Sequence, residues 1–329
     1  MEPIDVVVAQ AEDLNPLIRS FTLRAPGGAP LPAFSAGAHV RVQVTLPDGR
    51  SDWRHYSLIN PLADMTATQA PGHYRIAVRR EDAGRGGSRF MHALQAGAAL
   101  RIEPPKNDFP LAEPGAGSPG CAVLVAGGIG ITPLLSMAAQ CRAEGRAVRM
   151  VYAGRSRTLM AFLPDLHKLL GGSLAVHADE EQGVPLDIAA LLGGCGADDR
   201  LYVCGPKPML DAVLAEANAR GWPRERVHFE LFTEATAAAG DQAFEVVLAQ
   251  SGQTHTVPAG QSILDCLISH GCDPLFDCKR GECGVCAVPV LEGEVEHRDY
   301  VLTAAERAAG NVIQICVSRA KGQRLVLDL

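Results

Sequence analysis

Four cysteines in the C-terminal part of the chain have the spacing of a metal centre. Three share one loop as Cys-x4-Cys-x2-Cys and the fourth follows after 29 further residues: Cys278, Cys283, Cys286 and Cys316. This spacing binds [2Fe–2S] clusters, whereas structural zinc sites usually contain two close cysteine pairs. Gly281 and Gly284 allow the backbone to turn tightly and to point N–H groups at cluster sulfurs. We predict a [2Fe–2S] cluster here, with structural zinc as the alternative.

Two turns at the ends of apolar strands have the composition of a dinucleotide site. Residues 127–133, Gly-Gly-Ile-Gly-Ile-Thr-Pro, lie between a strand and a helix, where free N–H groups and the helix dipole bind pyrophosphate. Pro133 stands where a Rossmann motif has its third glycine. Ligands of open α/β sheets bind beyond the strand ends, and the turn 204–206 also ends a strand. A ligand-free turn and a buried strand cysteine are the alternatives. The predicted NAD contacts are Gly128, Gly130, Pro133, Cys204, Gly205 and Pro206.

The N-terminal part of the chain carries polar residues suited to a flavin and its phosphate. An Arg-Gly-Gly-Ser turn at 85–88 precedes a helix predicted over 89–94, with Ser88 as its N-cap. Backbone N–H groups and arginines at such a turn bind phosphate. Taken alone, Tyr56 could be a core residue and Arg54 a solvated one. The candidate flavin contacts are Arg54, Tyr56, Ser57, Leu58, Ala77, Val78, Arg79, Arg85, Gly86, Gly87 and Ser88.

The elements that position these residues change in character along the chain. Short alternating strands separated by turn residues come first and predict an antiparallel β-barrel. Strands and helices then alternate in five steps, which predicts a parallel sheet covered on both faces. Two strands, a helix over 262–270 and the cysteine loop follow. The predicted division is a flavin barrel at 1–112, an α/β NAD domain at 113–232, a linker at 233–242 and a cluster domain at 243–329.

Composition excludes several other classes of protein. The 329 residues contain 30 Lys and Arg against 37 Asp and Glu, a net charge of −7, which argues against a nucleic-acid partner. The uncharged stretch 114–141 is long enough to span a bilayer, but its glycines and prolines favour a loop, a strand, a turn and a helix. Residues 1–5 show no signal sequence, and a cluster of reduced thiols suits the cytoplasm. We expect a cytoplasmic protein without a membrane partner.

This order of modules resembles the phthalate dioxygenase reductase family, the flavin reductases that supply electrons to Rieske-type oxygenases. The resemblance covers essentially the whole chain and rests on the motifs above and on residues 228–232, 294–299 and 316–321. It implies an FMN-binding barrel, an NAD-binding α/β domain and a C-terminal β-grasp ferredoxin domain. It also implies that electrons pass from NADH to FMN, then to the [2Fe–2S] cluster, and then to a ring-hydroxylating or O-demethylating oxygenase.

The resemblance also implies roles for individual residues. Phe232 matches the aromatic residue that covers the flavin ring where nicotinamide docks, with a core phenylalanine as the alternative. Cys204 matches a cysteine near the reacting nicotinamide carbon. Thr132 reaches the flavin from the NAD domain and Ser57 from the barrel, so these four are the candidate catalytic residues. No acid–base pair is required, because the cofactors carry the chemistry.

Three questions stay open from the sequence. Arg155 and Arg157 could accept a 2′-phosphate, whereas the resemblance implies NADH, with Asp179 as a candidate for the ribose contact. The acceptor could be a diiron or other non-Rieske protein, or the chain could be a zinc-stapled flavin-binding module without electron export. Basic residues beside the cluster ligands could face an acidic docking surface or be solvated: Lys279, Arg280 and Arg319.

Overall fold

The computed structural model describes residues 2–60, 69, 71–113, 120–232, 238 and 240–329. The chain forms two compact units, residues 1–232 and 233–329. Residues 114–119, at the start of the predicted α/β domain, lie outside the described residues. The same is true of residues 233–237 and 239 of the predicted linker. Within the described ranges, no helix has the length and apolar character needed to cross a membrane. The three-domain boundaries stay a prediction.

The first unit begins with a six-stranded antiparallel sheet in the order β4-β3-β6-β1-β2-β5. Its elements are β1 (Ile4–Asn15), β2 (Ile18–Arg24), β3 (His39–Thr45), β4 (Ser51–Ser57), β5 (Tyr74–Arg79), helix α1 (Gly87–Ala93) and β6 (Ala99–Ile102). The N–H of Ile59, just beyond β4, donates to the carbonyl of Arg75 on β5 at 2.8 Å. This bond joins the two edge strands, as the predicted barrel requires. Inward-facing apolar side chains such as Phe21, Val42 and Ile76 are fully buried inside it.

A five-stranded parallel sheet follows in the order β11-β10-β7-β8-β9. Its strands are β7 (Ala122–Gly127), β8 (Val148–Gly154), β9 (Leu174–Ala178), β10 (Arg200–Cys204) and β11 (Val227–Glu230). The helices are α2 (Ile131–Ala143), α3 (Leu163–Leu170), α4 (Asp179–Gln182), α5 (Ile188–Gly193) and α6 (Lys207–Ala219). Every residue of the central strand β7 is buried, which explains its continuous apolar run. The parallel sheet was predicted, and α4 was not.

One predicted helix is interrupted. The sequence predicts a helix over 158–170, but the structure has a 3-10 turn at Arg157–Leu159 and an α-helix only from Leu163. Phe162 breaks the run with a left-handed backbone, φ 62°. Met160, Ala161 and Phe162 are all buried, so apolar burial outweighs the helical periodicity at this point.

The barrel and the parallel sheet pack together within the first unit. Barrel residues such as Ile18 and Ile59 share one buried core with Ile131 and Leu134 of α2. The buried hydroxyl of Ser136, also on α2, donates to the carbonyl of Leu58 and accepts from the N–H of Asn60, both at 2.8 Å. The segment after β4 is therefore held against the helix that follows the glycine-rich turn.

The second unit has a mixed sheet in the order β13-β12-β18-β14-β16 and a separate pair, β15 with β17. Its elements are β12 (Phe244–Leu248), β13 (Thr254–Val257), α7 (Ile263–Ser269), β14 (Ala287–Glu292), β15 (Val295–Glu296), α8 (Ala304–Ala309), β16 (Val312–Gln314), β17 (Arg319–Ala320) and β18 (Arg324–Leu327). Strands β12 and β18 run parallel in the centre. The Ser262 hydroxyl caps α7 by accepting from the N–H of Asp265 at 3.0 Å. This is the predicted β-grasp fold.

Candidate flavin, nucleotide and iron–sulfur sites

The four predicted cluster ligands lie together in the second unit. Cys278 is in hydrogen-bonding contact with Cys283 and with Cys316, and Cys316 is also in contact with Cys286. The pKa of Cys278 is lowered mainly by the thiol of Cys283, whose own pKa is raised by the same contact. No three His, Cys, Asp or Glu side chains among the described residues surround one ion position. The four thiols instead form a chain of contacts in the order 283, 278, 316 and 286, so they lie close enough together to serve one two-iron cluster.

The glycines of the ligand loop fill positions that no other residue fits. Gly281 has φ 78°, and a Cβ there would lie 2.7 Å from Cγ2 of Val317. Gly284 has φ 80°, and its Cβ would lie 3.2 Å from Cγ1 of Val301. Both positions combine left-handed backbone with close packing, so the loop requires glycine. The loop is therefore shaped as a tight cradle that fits a compact cluster.

Polar groups beside the ligands were not identified from the sequence. The backbone N–H of Arg280 donates to Sγ of Cys278 at 3.3 Å. The amide of Gln314 is buried, 1% exposed, with Oε1 3.3 Å from Sγ of Cys286. Such groups hold ligands in place and tune a cluster. The only sequence signal for Gln314 is its place two residues before Cys316.

The basic residues beside the ligands do not form an exposed surface. The Arg280 side chain is 4% exposed and pairs with Glu282 at 2.7 Å. Arg319 is also buried and donates to the carbonyl of Gln261 at 2.7 Å. The ammonium of Lys279 pairs with Asp265 at 2.8 Å. The hypothesis that Arg280 and Arg319 face an acidic partner is therefore wrong, because both guanidiniums are used inside the unit.

The two predicted nucleotide turns lie side by side in the first unit. Strand β7 comes first in sequence, with β8 and β9 on one side and β10 and β11 on the other, so the strand order reverses between β7 and β10. Open α/β sheets bind ligands at this crevice, beyond the carboxyl ends of the strands. A Cβ on Gly130 would lie 2.1 Å from the carbonyl oxygen of Cys204, and one on Gly127 2.6 Å from Cδ of Pro206. The close approach of the two turns requires these glycines.

The remaining nucleotide candidates border the same crevice. Gly128 has φ 56°, a conformation that favours glycine. A Cβ on Gly205 would lie 3.0 Å from the backbone Cα of Gly127, and Cε of Met209, at 2.2 Å, would also have to move. Pro133 lies in the first turn of α2. A backbone N–H at this position has no acceptor within the helix, so proline can stand here without the loss of a hydrogen bond. Pro206 directly precedes α6.

Two candidate catalytic residues follow the ends of neighbouring strands. Cys204 ends β10 and is 1% exposed. Phe232 comes two residues after β11 and is 36% exposed, which is unusual for a phenylalanine among the described residues. Because β10 and β11 are adjacent and parallel, both residues lie at the crevice edge of the sheet. The alternative of a core phenylalanine does not fit this exposure.

The predicted flavin residues at the end of β4 include an unsatisfied polar group. Ser57 is 4% exposed, and its Oγ has no hydrogen-bond partner among the residues that the structure describes. Buried hydroxyls normally have a partner, so this group fits a bound ligand. Burial raises the pKa of Tyr56, which keeps its hydroxyl protonated. Leu58 is fully buried, and Arg54 pairs with Asp52 at 2.6 Å.

The predicted phosphate turn is built differently from the expectation. Gly86, with φ 105°, occupies the N-cap of α1, and no side chain caps this helix. Ser88 instead lies inside α1, and its Oγ accepts from the N–H of Glu81 at 2.9 Å. The predicted N-cap role of Ser88 is therefore wrong, because the left-handed backbone that starts the helix requires glycine. A Cβ on Gly87 would lie 2.9 Å from Nε of Arg54, so the arginine lies directly beside the turn.

The other flavin candidates connect the barrel to the nucleotide crevice. Strand β5, which carries Ala77, Val78 and Arg79, contacts the turn at Gly128–Gly130. The Arg79 side chain pairs with Glu81 at 3.1 Å. Thr132 is buried and donates its hydroxyl to the carbonyl of Ile129 at 3.0 Å. Arg85 is exposed and lies close enough to lower the pKa of Asp52.

Comparisons with known proteins agree with this architecture. Residues 246–321 match the model of the 2Fe-2S iron-sulfur cluster binding domain. The chain is 41% identical over 330 residues to the vanillate O-demethylase oxidoreductase of Pseudomonas putida, covering 99% of this chain and 100% of that protein. It is 40% identical over 327 residues to the heme-dependent oxidative N-demethylase beta subunit of Ectopseudomonas mendocina, covering 99% of both.

Among solved structures, phthalate dioxygenase reductase is 37% identical, with a TM-score of 0.72, over 99% of this chain and 98% of that one. That protein has a modular structure for electron transfer from pyridine nucleotides to [2Fe–2S]. The identity and the coverage both extend over the flavin barrel, the nucleotide sheet and the ferredoxin fold. The chain belongs to the phthalate dioxygenase reductase family.

Proposed function

We propose that this chain is an NADH-dependent reductase that uses FMN and a [2Fe–2S] cluster to supply electrons to a Rieske-type oxygenase component. One observation carries the proposal. The chain holds a crevice that joins the flavin residues of β4 and β5 to the nucleotide turns, and it also holds four thiols in contact with one another in a β-grasp unit. Bound in these sites, FMN would supply hydride acceptance from NADH, and the cluster would supply one-electron transfer to the acceptor.

The residues of the first unit bind and orient the two ring systems. The turns at 127–130 and 204–206 offer backbone N–H groups to the pyrophosphate, and α2 adds its positive N-terminal end. Ser57 would supply a buried hydroxyl to a bound flavin, and Phe232 would cover the flavin ring where nicotinamide docks. Cys204 and Thr132 line the crevice between the flavin residues and the nucleotide turns. We assign Arg54 and the 85–88 turn to the flavin phosphate.

The carboxylates near the second parallel strand support NADH rather than NADPH. The Arg157 guanidinium, which could have held a 2′-phosphate, pairs with Glu181 at 2.7 Å. Asp179 and Glu180 begin the same short helix, α4. A 2′-phosphate would meet these negative charges, whereas ribose hydroxyls can donate to a carboxylate. We expect kcat/KM to be higher with NADH than with NADPH, and the reverse order in steady-state kinetics would contradict this assignment.

An anaerobic visible spectrum before and after NADH addition tests the electron path. Flavin bands and a broad iron–sulfur absorbance that both bleach are the expected result. A flavin spectrum without iron–sulfur absorbance, in protein that retains zinc, would leave a flavin-binding module without electron export. Heat release of the flavin and its chromatography distinguish FMN from FAD, and FMN is expected because the phosphate turn is short.

The acceptor is tested by reconstitution. Purified Rieske oxygenase components should accept electrons from the NADH-reduced chain, with substrate turnover as the readout. The similarity to the beta subunit of a heme-dependent N-demethylase makes a haem protein the second candidate acceptor. Reduction of a haem N-demethylase but of no Rieske component would overturn the first assignment. We place the protein in the cytoplasm, where a reducing environment keeps the four ligand thiols available for cluster assembly.

A further inference from the structure

Exposed apolar side chains of the second unit concentrate beside the cluster ligands. Leu275 is 80% exposed and Phe276 is 40% exposed, and they precede Cys278 by three and two residues. Val285, 44% exposed, directly precedes Cys286. Large apolar side chains at such exposure normally mark an interaction site when they occur together.

Contacts within the unit connect Phe276 to the first turn of α7. The Lys279 ammonium lies 4.8 Å from the ring centroid of Phe276 and 2.8 Å from Oδ1 of Asp265. Ile268, 38% exposed, lies three residues after Asp265 on α7 and therefore on the same helix face. We call Ile268, Leu275, Phe276 and Val285 the cluster patch.

The second unit as a whole is negatively charged. Residues 233–329 contain 7 Lys and Arg against 13 Asp and Glu. Of the basic residues nearest the patch, Arg280 is buried in a pair with Glu282, and Lys279 is paired with Asp265. Asp273 is exposed two residues before Leu275. Exposed apolar side chains with an exposed carboxylate near them in the chain, in a negatively charged unit, are therefore presented to solvent.

We propose that the cluster patch is the docking surface for the protein electron acceptor, and that this acceptor presents an apolar centre ringed by Lys and Arg. The inference rests on the proposed function and adds the location and chemistry of the partner contact. Protein interfaces place apolar residues at the centre and charged ones at the rim, and opposite charge raises the rate of encounter. Apolar contact also excludes water next to the cluster. The same negative charge repels an anionic membrane surface.

The double variant Leu275→Ser/Phe276→Ser tests the patch, with cytochrome c as the probe, because this basic haem protein has the proposed surface chemistry. Only the cluster-dependent rate of cytochrome c reduction is compared. It is the wild-type rate minus the rate that remains in Cys316→Ser, a variant that lacks one cluster ligand. We expect KM for cytochrome c to rise about tenfold, as for truncated interface anchors. Bleaching of flavin and cluster by NADH should be unchanged, as should reduction of ferricyanide, which needs no docking surface.

Leu291→Ser is the matched control, because Leu291 is 56% exposed in the same unit but lies on β14, outside the ligand loop. It should leave KM for cytochrome c unchanged. Asp273→Asn should raise KM at low ionic strength and weaken its dependence on salt. The cluster absorbance of each variant checks that the unit has folded.

An unchanged KM in the double variant, or the absence of any cluster-dependent rate, would overturn the proposal. Slower bleaching of the cluster by NADH would also overturn it, since the patch would then serve electron entry. If the double variant behaves as expected but no Rieske component is reduced, the docking surface stands and the assigned class of partner fails.

Discussion

The cluster site and the nucleotide crevice are assembled in opposite ways. Three cluster ligands lie within residues 278–286, so one loop with two left-handed glycines brings them together. The nucleotide turns at 127–130 and 204–206 are far apart in the chain and meet only because β7 pairs with β10. The first site is therefore mostly a property of local chain geometry, and the second is a property of sheet topology. Substitutions should separate the two sites cleanly.

The largest expected effect is the loss of the cluster in Cys316→Ser. A hydroxyl is a poor iron ligand, so the iron–sulfur absorbance and bound iron should disappear. Reduction of the flavin by NADH should continue at a rate close to wild type, because the crevice lies in the first unit. Metal analysis and stopped-flow absorbance measure the two effects. Cys272→Ser, at another cysteine of the same unit, should change neither. Loss of flavin reduction in Cys316→Ser would show that the two sites are not separable.

Gly130→Ala should have the next largest effect, on the crevice alone. The new Cβ would lie 2.1 Å from the Cys204 carbonyl oxygen, so the two turns must move apart. Displacement of a reacting group by about 1 Å costs about a hundredfold in rate, and we expect such a loss in kcat/KM for NADH. Iron content should be unchanged. Gly172→Ala is the control, because a Cβ there meets nothing within 4 Å. Wild-type kinetics in Gly130→Ala would contradict the assigned position of the nucleotide.

Ser57→Ala should weaken flavin binding without weakening the fold. The Oγ of Ser57 has no partner within the described part of the chain, so the bond that is lost is the one to the flavin. One hydrogen bond of about 1 kcal/mol corresponds to about a fivefold rise in the flavin Kd. Titration of the apoprotein with FMN measures this change. Ser20→Ala shows the opposite pattern, because the Ser20 hydroxyl accepts from Nε of Arg75 at 3.1 Å. It should lower the free energy of unfolding and leave the Kd unchanged. An unchanged Kd in Ser57→Ala would argue against flavin contact.

The smallest effect is expected for Asp241→Asn, at the start of the second unit. Nη1 and Nη2 of Arg298 donate to the Asp241 carboxylate at 3.0 and 2.5 Å. These hydrogen bonds lower the pKa of Asp241 to about 2. The variant should lose about 1 kcal/mol of stability at pH 7, because the asparagine side-chain oxygen can still accept a hydrogen bond from Arg298 and only the charge is lost.

The pH dependence of that difference follows from the direction of the pKa shift. The pKa of Asp241 in the folded protein lies below its value of 3.8 in the unfolded chain. The Asp241 carboxylate therefore stabilises the fold above pH 4, and this stabilisation is lost as the pH falls toward 2. Urea unfolding of the wild type and Asp241→Asn should show a constant difference between pH 5 and 8. A difference that changes within that range would point to another titrating group.

Asp241 also shows where a composition-based prediction was incomplete. The segment 233–242 is small and polar and was predicted to be a flexible linker. Its last part is instead held to the second unit through Asp241, whose side chain is 6% exposed. Arg298 lies 57 residues away in the chain, so only the folded unit brings the two charges together.

The sequence by itself determined the grouping of the four cysteines, the glycine-rich turns, the order of the modules and most of the strands. These features depend on local spacing, alternation and backbone freedom, which act over a few residues. Only the tertiary structure decided the adjacency of β7 and β10, the unpartnered hydroxyl of Ser57 and the burial of Arg280. It also left Leu275 and Phe276 exposed beside the cluster. The physical reason is that solvent exposure and the partner of each polar group depend on residues that are distant in the chain and meet only after folding.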